Sequence, residues 1–111
     1  MDCIFCKIIN KQVPSSIVYE DDKVLAFNDI SPQAPVHILV IPKVHVQGIA
    51  ELNDLETVKD LFAVMKKIAI EKGIEKTGYR IVVNHGKDAG QAVPHLHFHL
   101  LGGRLLKWPP G

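Results

Sequence analysis

The sequence predicts an α+β domain with a mainly antiparallel sheet of about five strands, one long helix and one short helix, both helices on one side of the sheet. Two features predict this class: short β-branched runs bounded by turn residues, and one long segment with apolar residues at helical spacing. The regular alternation of strands and helices that is typical of doubly wound sheets is absent. With 111 residues the chain is long enough for one domain, which we place over residues 1–111.

The first half of the chain predicts one short helix and three strands. Apolar residues at positions 4, 5, 8 and 9 have the helical spacing, which predicts a helix over 4–11 that ends before Pro14. Short apolar runs bounded by turn residues or proline predict the first three strands, over Ile17–Glu20, 23–28 and 37–41. The first two of these strands form a hairpin through Asp21 and Asp22.

The second half predicts the long helix and the last two strands. Asn53 or Asp54 caps a helix that continues to about Lys72. Strands are predicted over 79–84 and 95–101, with a loop rich in Gly, Asp and Gln between them. Apolar residues at helical spacing are expected to form the buried stripe of the long helix: Leu55, Val58, Leu61, Phe62, Met65, Ile68 and Ala69.

Composition and charge narrow the functional classes. The formal net charge is +1 and the sequence carries no basic stripe, so nothing supports direct nucleic-acid binding. No apolar run approaches the ~20 residues of a membrane span, which predicts no membrane partner. Residues 1–6 lack the charged and apolar regions of a signal peptide, so we expect a cytoplasmic protein with reduced cysteines.

Three histidines at strict two-residue spacing form the most informative segment of the chain. His95, His97 and His99 alternate with Leu and Phe. On an extended strand, successive side chains point to opposite faces, so the histidines are expected to line one face while the apolar residues anchor the other in the core. A single histidine on a strand is usually a surface or satisfied core residue, but three on one face favour a functional site.

Two kinds of chemistry suit such a site: metal binding and nucleophilic catalysis. A neutral imidazole is a good nucleophile toward phosphorus near neutral pH, because its unperturbed pKa is about 6.5. The attacking nitrogen must be unprotonated, so the other ring nitrogen should donate to a fixed acceptor such as a backbone carbonyl. The loop over 84–91 contains glycines, which allow backbone N–H groups to approach an anion closely.

The segment 95–101 matches in full the histidine-triad motif, His-φ-His-φ-His-φ-φ, where φ is an apolar residue. Further segments resemble the Hint branch of the histidine triad (HIT) superfamily, at 27–37, 40–45, 90–91, 101–104 and 108–111. The resemblance covers nearly the whole chain. It implies a HIT-like fold that dimerises into a continuous sheet. It also implies hydrolysis of purine nucleoside 5′-phosphoramidates and aminoacyl-adenylates to release AMP or GMP, with no metal required for catalysis.

The same resemblance implies a role for each site residue. His97 is the nucleophile that forms a nucleotidyl-histidine, and His99 binds the phosphate and takes part in proton transfer. His37 and His95 support the geometry of the histidine cluster, and Asp29 holds the ribose hydroxyls. The remaining phosphate-binding positions lie in and beside the loop: Asn84, Gly90, Gln91, Ala92 and Val93. The positions around the base are apolar: Ile4, Phe5, Ile8, Phe27, Ile30 and Leu39.

The chain departs from the family pattern beside the phosphate. Family members often carry Ser at the position of Ala92 and an aromatic residue at the position of Pro94. A missing hydrogen bond to the transition state costs about 10–1000-fold in rate if nothing replaces it, which predicts a working enzyme that is either slower or altered in its leaving-group preference. Three alternatives stay open: a dinucleoside polyphosphate hydrolase, a nucleotide-binding scaffold with little turnover, and a zinc-storage or sensor protein.

A second constellation involves the cysteines. Cys3 and Cys6 are three residues apart, which places them on one side of a helix. Some histidine-triad proteins resemble this chain in joining two N-terminal cysteines to two histidines, which here are His45 and His95. Two thiolates and two imidazoles make a closed tetrahedral zinc site, so the resemblance implies a structural zinc. The alternative is a pair of reduced, buried cysteines.

Overall fold

The computed structural model describes residues 3–111 as a five-stranded sheet with two α-helices. Met1 and Asp2, which belong to the predicted domain and to the N-terminal segment discussed above, lie outside the described residues. Within 3–111, no helix has the length and apolar character needed to cross a bilayer. The α+β prediction is confirmed, with these elements: α1 (Ile4–Ile9), β1 (Ile17–Glu20), β2 (Val24–Asn28), β3 (Val36–Pro42), a 3-10 turn (Ile49–Glu51), α2 (Leu55–Glu71), β4 (Tyr79–Val83) and β5 (Phe98–Gly102).

All strand pairs are antiparallel, and the strand order is β1-β2-β3-β5-β4. The last strand in sequence therefore lies between β3 and β4 rather than at an edge. Its register places His99 beside Leu39 on one side and Val82 on the other. The histidine segment thus leads into the middle of the sheet, where neighbouring strands fix the backbone on both sides.

The two helices cover opposite faces of the sheet, so the prediction that both lie on one side is wrong. Val24 and Ala26 of β2 belong to the core cluster that includes α2. Leu25 and Phe27 belong to a second cluster that includes Phe5 of α1. The reason is that the central strands are apolar on both faces, and each face then needs its own cover.

Helix α2 begins and ends as the sequence predicts, but two residues of its predicted stripe are exposed. The Asp54 carboxylate caps the first turn, accepting from the Glu56 N–H at 3.1 Å and from the Thr57 hydroxyl at 3.0 Å. Leu55 is 81% exposed and Phe62 is 41% exposed, which corrects their assignment to the core. The buried side of the helix therefore differs from the predicted one. Its buried residues are Thr57, Leu61, Val64, Met65, Ile68 and Ala69.

Strand β5 begins at Phe98, three residues later than predicted. Phe98 pairs with Val40, so continuing that register would bring Leu96 opposite Pro42. Proline has no N–H to donate, which ends the ladder. The Leu96 N–H instead donates to the carbonyl of Val46 at 2.8 Å. The first two histidines of the motif therefore lie before the strand, and His95, Leu96, His97 and Phe98 are all buried.

Candidate active site

His97 lies directly before β5, and its ring is held by the backbone. Its Nδ1–H donates to the carbonyl oxygen of His95 at 2.7 Å. Because a carbonyl oxygen only accepts, this contact puts the proton on Nδ1 and leaves Nε2 with an available lone pair. Phe5 packs edge-on against the ring, with centroids 5.2 Å apart at 87°. The backbone and Phe5 therefore fix the orientation of the His97 ring.

His37 and His99 form a hydrogen-bonded relay whose proton positions follow from one backbone group. The Gln33 N–H donates to His37 Nδ1 at 3.0 Å, so that nitrogen carries no proton. The proton of the neutral His37 ring is then on Nε2, which donates to His99 Nδ1 at 2.9 Å. His99 in turn carries its proton on Nε2. The relay therefore gives His99 a ring N–H that is directed away from His37.

The pKa values of the relay histidines keep both rings neutral near pH 7. Burial, followed by the charges of His97 and His37, lowers the pKa of His99 to about 4. Burial also lowers the pKa of His37, and the Asp29 carboxylate partly opposes that shift. Since both rings are neutral, the assignment of one proton to each ring holds at neutral pH.

Asp29 faces the relay and is also tied to its own loop. Its Oδ2 lies 3.3 Å from His37 Nε2, and its Oδ1 accepts from the Ser31 N–H at 2.8 Å. The side chain is 18% exposed. Part of this carboxylate is thus occupied within the protein, and its open edge is what remains for a ligand hydroxyl.

The loop before the histidine segment is closed by the side chain of Gln91. Its Oε1 accepts from the Gly86 N–H at 2.9 Å, while its Nε2 donates to the carbonyls of Gln47 at 2.7 Å and Val93 at 3.0 Å. Both amide protons are used, so Gln91 shapes the loop with its side chain. Gly90 has a φ of 78°, a left-handed conformation that favours glycine.

The other predicted phosphate positions lie around this loop. Gly90, Gln91 and Ala92 line an open cavity of about 590 Å³. Asn84 follows β4, and the register of β4 on β5 places it opposite His97. The structure therefore brings these positions to the end of the sheet at which the histidine segment enters.

Four of the six residues predicted around a base form one apolar cluster, and two do not join it. Phe5, Ile8, Phe27 and Leu39 pack together and keep 4–7% exposure, whereas their neighbours Leu25 and Ile41 are fully buried. Ile4 is 43% exposed on the outer side of α1, and Ile30 is 98% exposed in the loop after Asp29. All four are buried, and the small area that they keep exposed marks where the cluster reaches the surface.

The predicted metal ligands come together next to His97. Donor atoms of Cys3, Cys6, His45 and His95 all lie within 4.8 Å of one another. His95 Nδ1 is 3.5 Å from Cys3 Sγ, 3.6 Å from Cys6 Sγ and 3.1 Å from His45 Nδ1, and Cys6 Sγ is 3.3 Å from His45 Nδ1. A tetrahedral zinc ion with bonds of about 2.0–2.3 Å keeps its ligand atoms roughly 3.3–3.8 Å apart.

The proton of His95 also fits a metal ligand. Its Nε2–H donates to the carbonyl of Pro42 at 2.9 Å, which leaves Nδ1 unprotonated and directed at the cysteines. Burial, followed by the hydrogen bond and charge of Cys3, raises the pKa of the Cys6 thiol. A bound cation reverses that preference and favours the thiolate. These residues fit zinc.

A second group of donor atoms, on Asp29, His37 and His99, also lies within 4.8 Å. It fits a metal less well, because the Gln33 N–H places the His37 proton on the nitrogen that faces the group. The position of His95 differs from that of a reacting group. Its ring faces the cysteines, and its backbone carbonyl accepts a hydrogen bond from His97.

Sequence reasoning missed two residues that shape the relay. Gln33 fixes the proton of His37 through its backbone N–H, and Arg104 holds Gln33 by donating from Nε and Nη2 to its carbonyl at 3.1 and 2.8 Å. The local sequence signal was the pair of prolines, Pro32 and Pro35, which indicates a defined turn around Gln33. The family resemblance over 27–37 and 101–104 includes Gln33 and Arg104 but assigned neither a role. Arg104 lies 71 residues away, and no local pattern links the two.

Comparisons with known proteins agree with this geometry. The HIT domain family model matches residues 10–106. The chain is similar to a 14 kDa zinc-binding protein of Zea mays, with 53% identity over 97% of this chain and 87% of that protein. It is similar to the crystal structure of a HIT family hydrolase from Legionella pneumophila Philadelphia 1, with a TM-score of 0.96 and 46% identity over 99% of this chain and 100% of that one. It is also similar to a histidine triad nucleotide-binding protein from Candida albicans, with a TM-score of 0.86 and 34% identity over 97% of this chain and 83% of that one. The chain therefore belongs to the HIT domain family.

Proposed function

We propose that this protein is a nucleotide-binding hydrolase that cleaves purine nucleoside 5′-phosphoramidates and aminoacyl-adenylates to release AMP or GMP. The observation that carries the proposal is the 2.7 Å contact from His97 Nδ1–H to the His95 carbonyl, which leaves Nε2 available for attack. Membership of the HIT domain family supports it, as does similarity to a Candida albicans protein named histidine triad nucleotide-binding.

The proposed reaction has two displacements at phosphorus. His97 Nε2 forms a bond to phosphorus while the bond from phosphorus to the leaving group breaks. The amine of a phosphoramidate leaves with a proton taken from the solvent, and the carboxylate of an aminoacyl-adenylate leaves without one. Water then attacks the nucleotidyl-histidine, the bond from phosphorus to Nε2 breaks, and the water supplies a proton in return. His99 contributes its Nε2–H to the phosphoryl oxygens, and its relay with His37 supports the proton transfer.

In this proposal the nucleotide lies across the site from the apolar cluster to the loop. The base covers the cluster around Phe5 and Leu39 where it reaches the surface, and apolar side chains there suit a flat ring. Asp29 accepts from the ribose hydroxyls, and backbone N–H groups near Val93 receive the phosphate. Gln91 acts by fixing the loop, since its amide is committed to loop carbonyls and an N–H.

We assign a structural zinc to Cys3, Cys6, His45 and His95. All four positions are protein ligands, so such a site has no open position for a substrate. The cluster joins α1 to the loop after β3 and to the histidine segment. The hydrolysis proposed here uses no metal at phosphorus.

We also propose a cytoplasmic location, which fits two cysteines that form no disulfide.

We propose further that two copies pair through β4 into one continuous sheet. In the described sheet β1 and β4 are the edges, and β1 is interrupted by a bulge between Ile17 and Tyr19. Strand β4 is regular, and Tyr79 and Val83 at its ends are 38% and 37% exposed. A regular, uncovered edge is the one that pairs with another chain. Light scattering should give a dimer mass for wild type and a smaller mass for Val83→Lys.

Steady-state hydrolysis of adenosine 5′-phosphoramidate and a tryptamine phosphoramidate tests the central proposal. Wild type and the matched control His85→Ala, at an exposed histidine outside both clusters, should be active, while His97→Ala should lose more than about 10³-fold in kcat. Activity retained in His97→Ala would contradict the covalent step. Asymmetric cleavage of diadenosine polyphosphates in preference to phosphoramidates would favour the polyphosphate hydrolase instead. Tight AMP binding without hydrolysis would favour the scaffold, the alternative that Ala92 supports.

A further inference from the structure

We propose that metal binding at the cysteine–histidine cluster sets the position of the nucleophile His97. The inference rests on the proposed function, and it gives the cluster a second role beyond holding α1 to the sheet. The residue that connects the two sites is His95. Its ring belongs to the metal-binding cluster, while its carbonyl is the acceptor that orients His97.

His95 has little freedom to move in one site without moving in the other. It is fully buried, and its ring is held on both nitrogens, with Nε2–H donating to the Pro42 carbonyl at 2.9 Å and Nδ1 within the cluster. Its backbone N–H donates to the Val93 carbonyl at 2.9 Å. Its own carbonyl receives the His97 proton at 2.7 Å. A displacement of the ring is therefore transmitted to the atom that holds the nucleophile.

A cation in the cluster would replace hydrogen bonds among the same four side chains with stronger metal–ligand bonds. His95 Nδ1 and His45 Nδ1 lie 3.1 Å apart, and the Pro42 contact leaves the His95 nitrogen as a lone pair. A cation between the donor atoms makes such close lone pairs and thiolates favourable. Without it, the His45 ring or a thiol supplies a proton to the His95 lone pair, and hydrogen bonds of 3.1–3.6 Å hold the ring less firmly than bonds to a metal would.

Phe5 provides a second connection. It lies between Cys3 and Cys6 in α1, and its ring packs against His97 at 5.2 Å and against His95 at 6.0 Å between centroids. Release of the two thiols frees the first turn of α1, which carries this ring. Both connections converge on the orientation of the His97 imidazole.

The expected effect is on the chemical step more than on binding. Misplacement of a reacting group by about 1 Å costs roughly 10²-fold, and loss of an outer-shell contact costs about 10–100-fold. We therefore expect metal removal to lower kcat by about 10- to 100-fold while KM changes by less. A merely structural metal would lower stability and leave kcat of the folded protein unchanged.

The test compares four proteins, each purified in the presence of zinc: wild type, Cys6→Ala, Cys6→His, and Ile9→Ala as a packing control on the same helix. Zinc content, kcat, KM and the NMR signal of the His97 Nδ1–H are measured for each. Cys6→Ala should lose zinc, the His97 signal and 10- to 100-fold in kcat, Cys6→His should recover all three in part, and Ile9→Ala should retain them. Zinc loss with an unchanged His97 signal and unchanged kcat would overturn the inference.

Two further measurements keep the outcomes distinct. If Cys6→Ala fails to fold, chelator titration of folded wild type gives the same comparison, with circular dichroism to confirm that the fold persists. If zinc-loaded wild type does not hydrolyse phosphoramidates, the proposed function fails, while the His97 signal with and without zinc still decides whether the cluster orients that ring. A signal that is insensitive to zinc would contradict the coupling.

Discussion

The two histidine clusters of this protein use the same side chain for different chemistry, and the backbone behind each ring makes the difference. Behind His95, the Pro42 carbonyl takes the proton on Nε2, so a lone pair faces the cysteines. Behind His37, the Gln33 N–H occupies Nδ1, so a proton faces His99. The first arrangement suits a metal and the second suits a proton relay. His97 joins the two, because its own ring is held by the carbonyl of His95.

The largest effect should come from removing the donor end of the relay. Without the His99 Nε2–H, the developing charge on the phosphoryl oxygens loses a positioned donor, so His99→Ala should lose about 10²–10⁴-fold in kcat. The measurement is steady-state hydrolysis of adenosine 5′-phosphoramidate, with His85→Ala as the control. A loss under threefold would show that the relay does not serve the reaction.

Removal of the metal should lower the free energy of unfolding through the cysteine–histidine cluster and not through the relay of His37 and His99. Zinc that binds only the folded chain stabilises it by about 4 kcal/mol when free zinc is near 1,000 times its Kd. Cys3→Ala should lose this stabilisation together with the metal, because Cys3 is a buried ligand. His37→Gln should keep its zinc content, since His37 belongs only to the relay. Urea unfolding with and without zinc measures the difference. Loss of zinc from His37→Gln would show that the two clusters are not independent.

A smaller effect, a gain in kcat, is expected at Ala92, which follows the loop over 84–91. Ala92 offers no side-chain donor beside the proposed phosphate site, so Ala92→Ser should raise kcat by about 10-fold if the hydroxyl reaches the transition state. Ala89→Ser, exposed in the same loop, is the matched control and should leave kcat unchanged. Equal rates for both variants and wild type would mean that the backbone already supplies the missing hydrogen bond.

The smallest effect is the pH dependence of stability that the relay produces. The pKa of His99 is about 4 in the folded protein, against an ordinary value of 6.5. Between these values the unfolded chain binds more protons than the folded protein. The contribution of His99 to the free energy of unfolding should therefore be complete above pH 6.5 and decrease as the pH is lowered toward 4. His99→Gln should show a shallower fall in the zinc-loaded protein. Parallel curves for both proteins would contradict the low pKa.

Much of this architecture was predictable because it depends on local sequence. The cap at Asp54, the length of α2 and the strand positions follow from residues that lie next to one another. The histidine spacing and the cysteine pair are also recognisable within short segments of the sequence. The faces taken by the helices were not predictable in this way, because apolar residues on both sides of β2 and β3 become evident only when the strands pair.

What sequence reasoning could not supply is which backbone groups set the protons of His95 and His37. The Pro42 carbonyl lies 53 residues from His95, and the contact has no residue-specific signal, since every residue carries a backbone carbonyl. The same holds for the N–H of Gln33. The late start of β5 has a similar origin, because Pro42 on the neighbouring strand ends the ladder. Residue types predicted which groups meet, while backbone contacts across the fold decide which nitrogen is free.

The most direct test of the account is long-range ¹H–¹⁵N NMR of the histidine rings in zinc-loaded protein at pH 7. It reports which nitrogen of each ring carries the proton. The account predicts a proton on Nδ1 of His97 and on Nε2 of His95, His37 and His99. A proton on Nε2 of His97, or on Nδ1 of His37, would contradict it, because the nucleophile would then be blocked or the relay reversed.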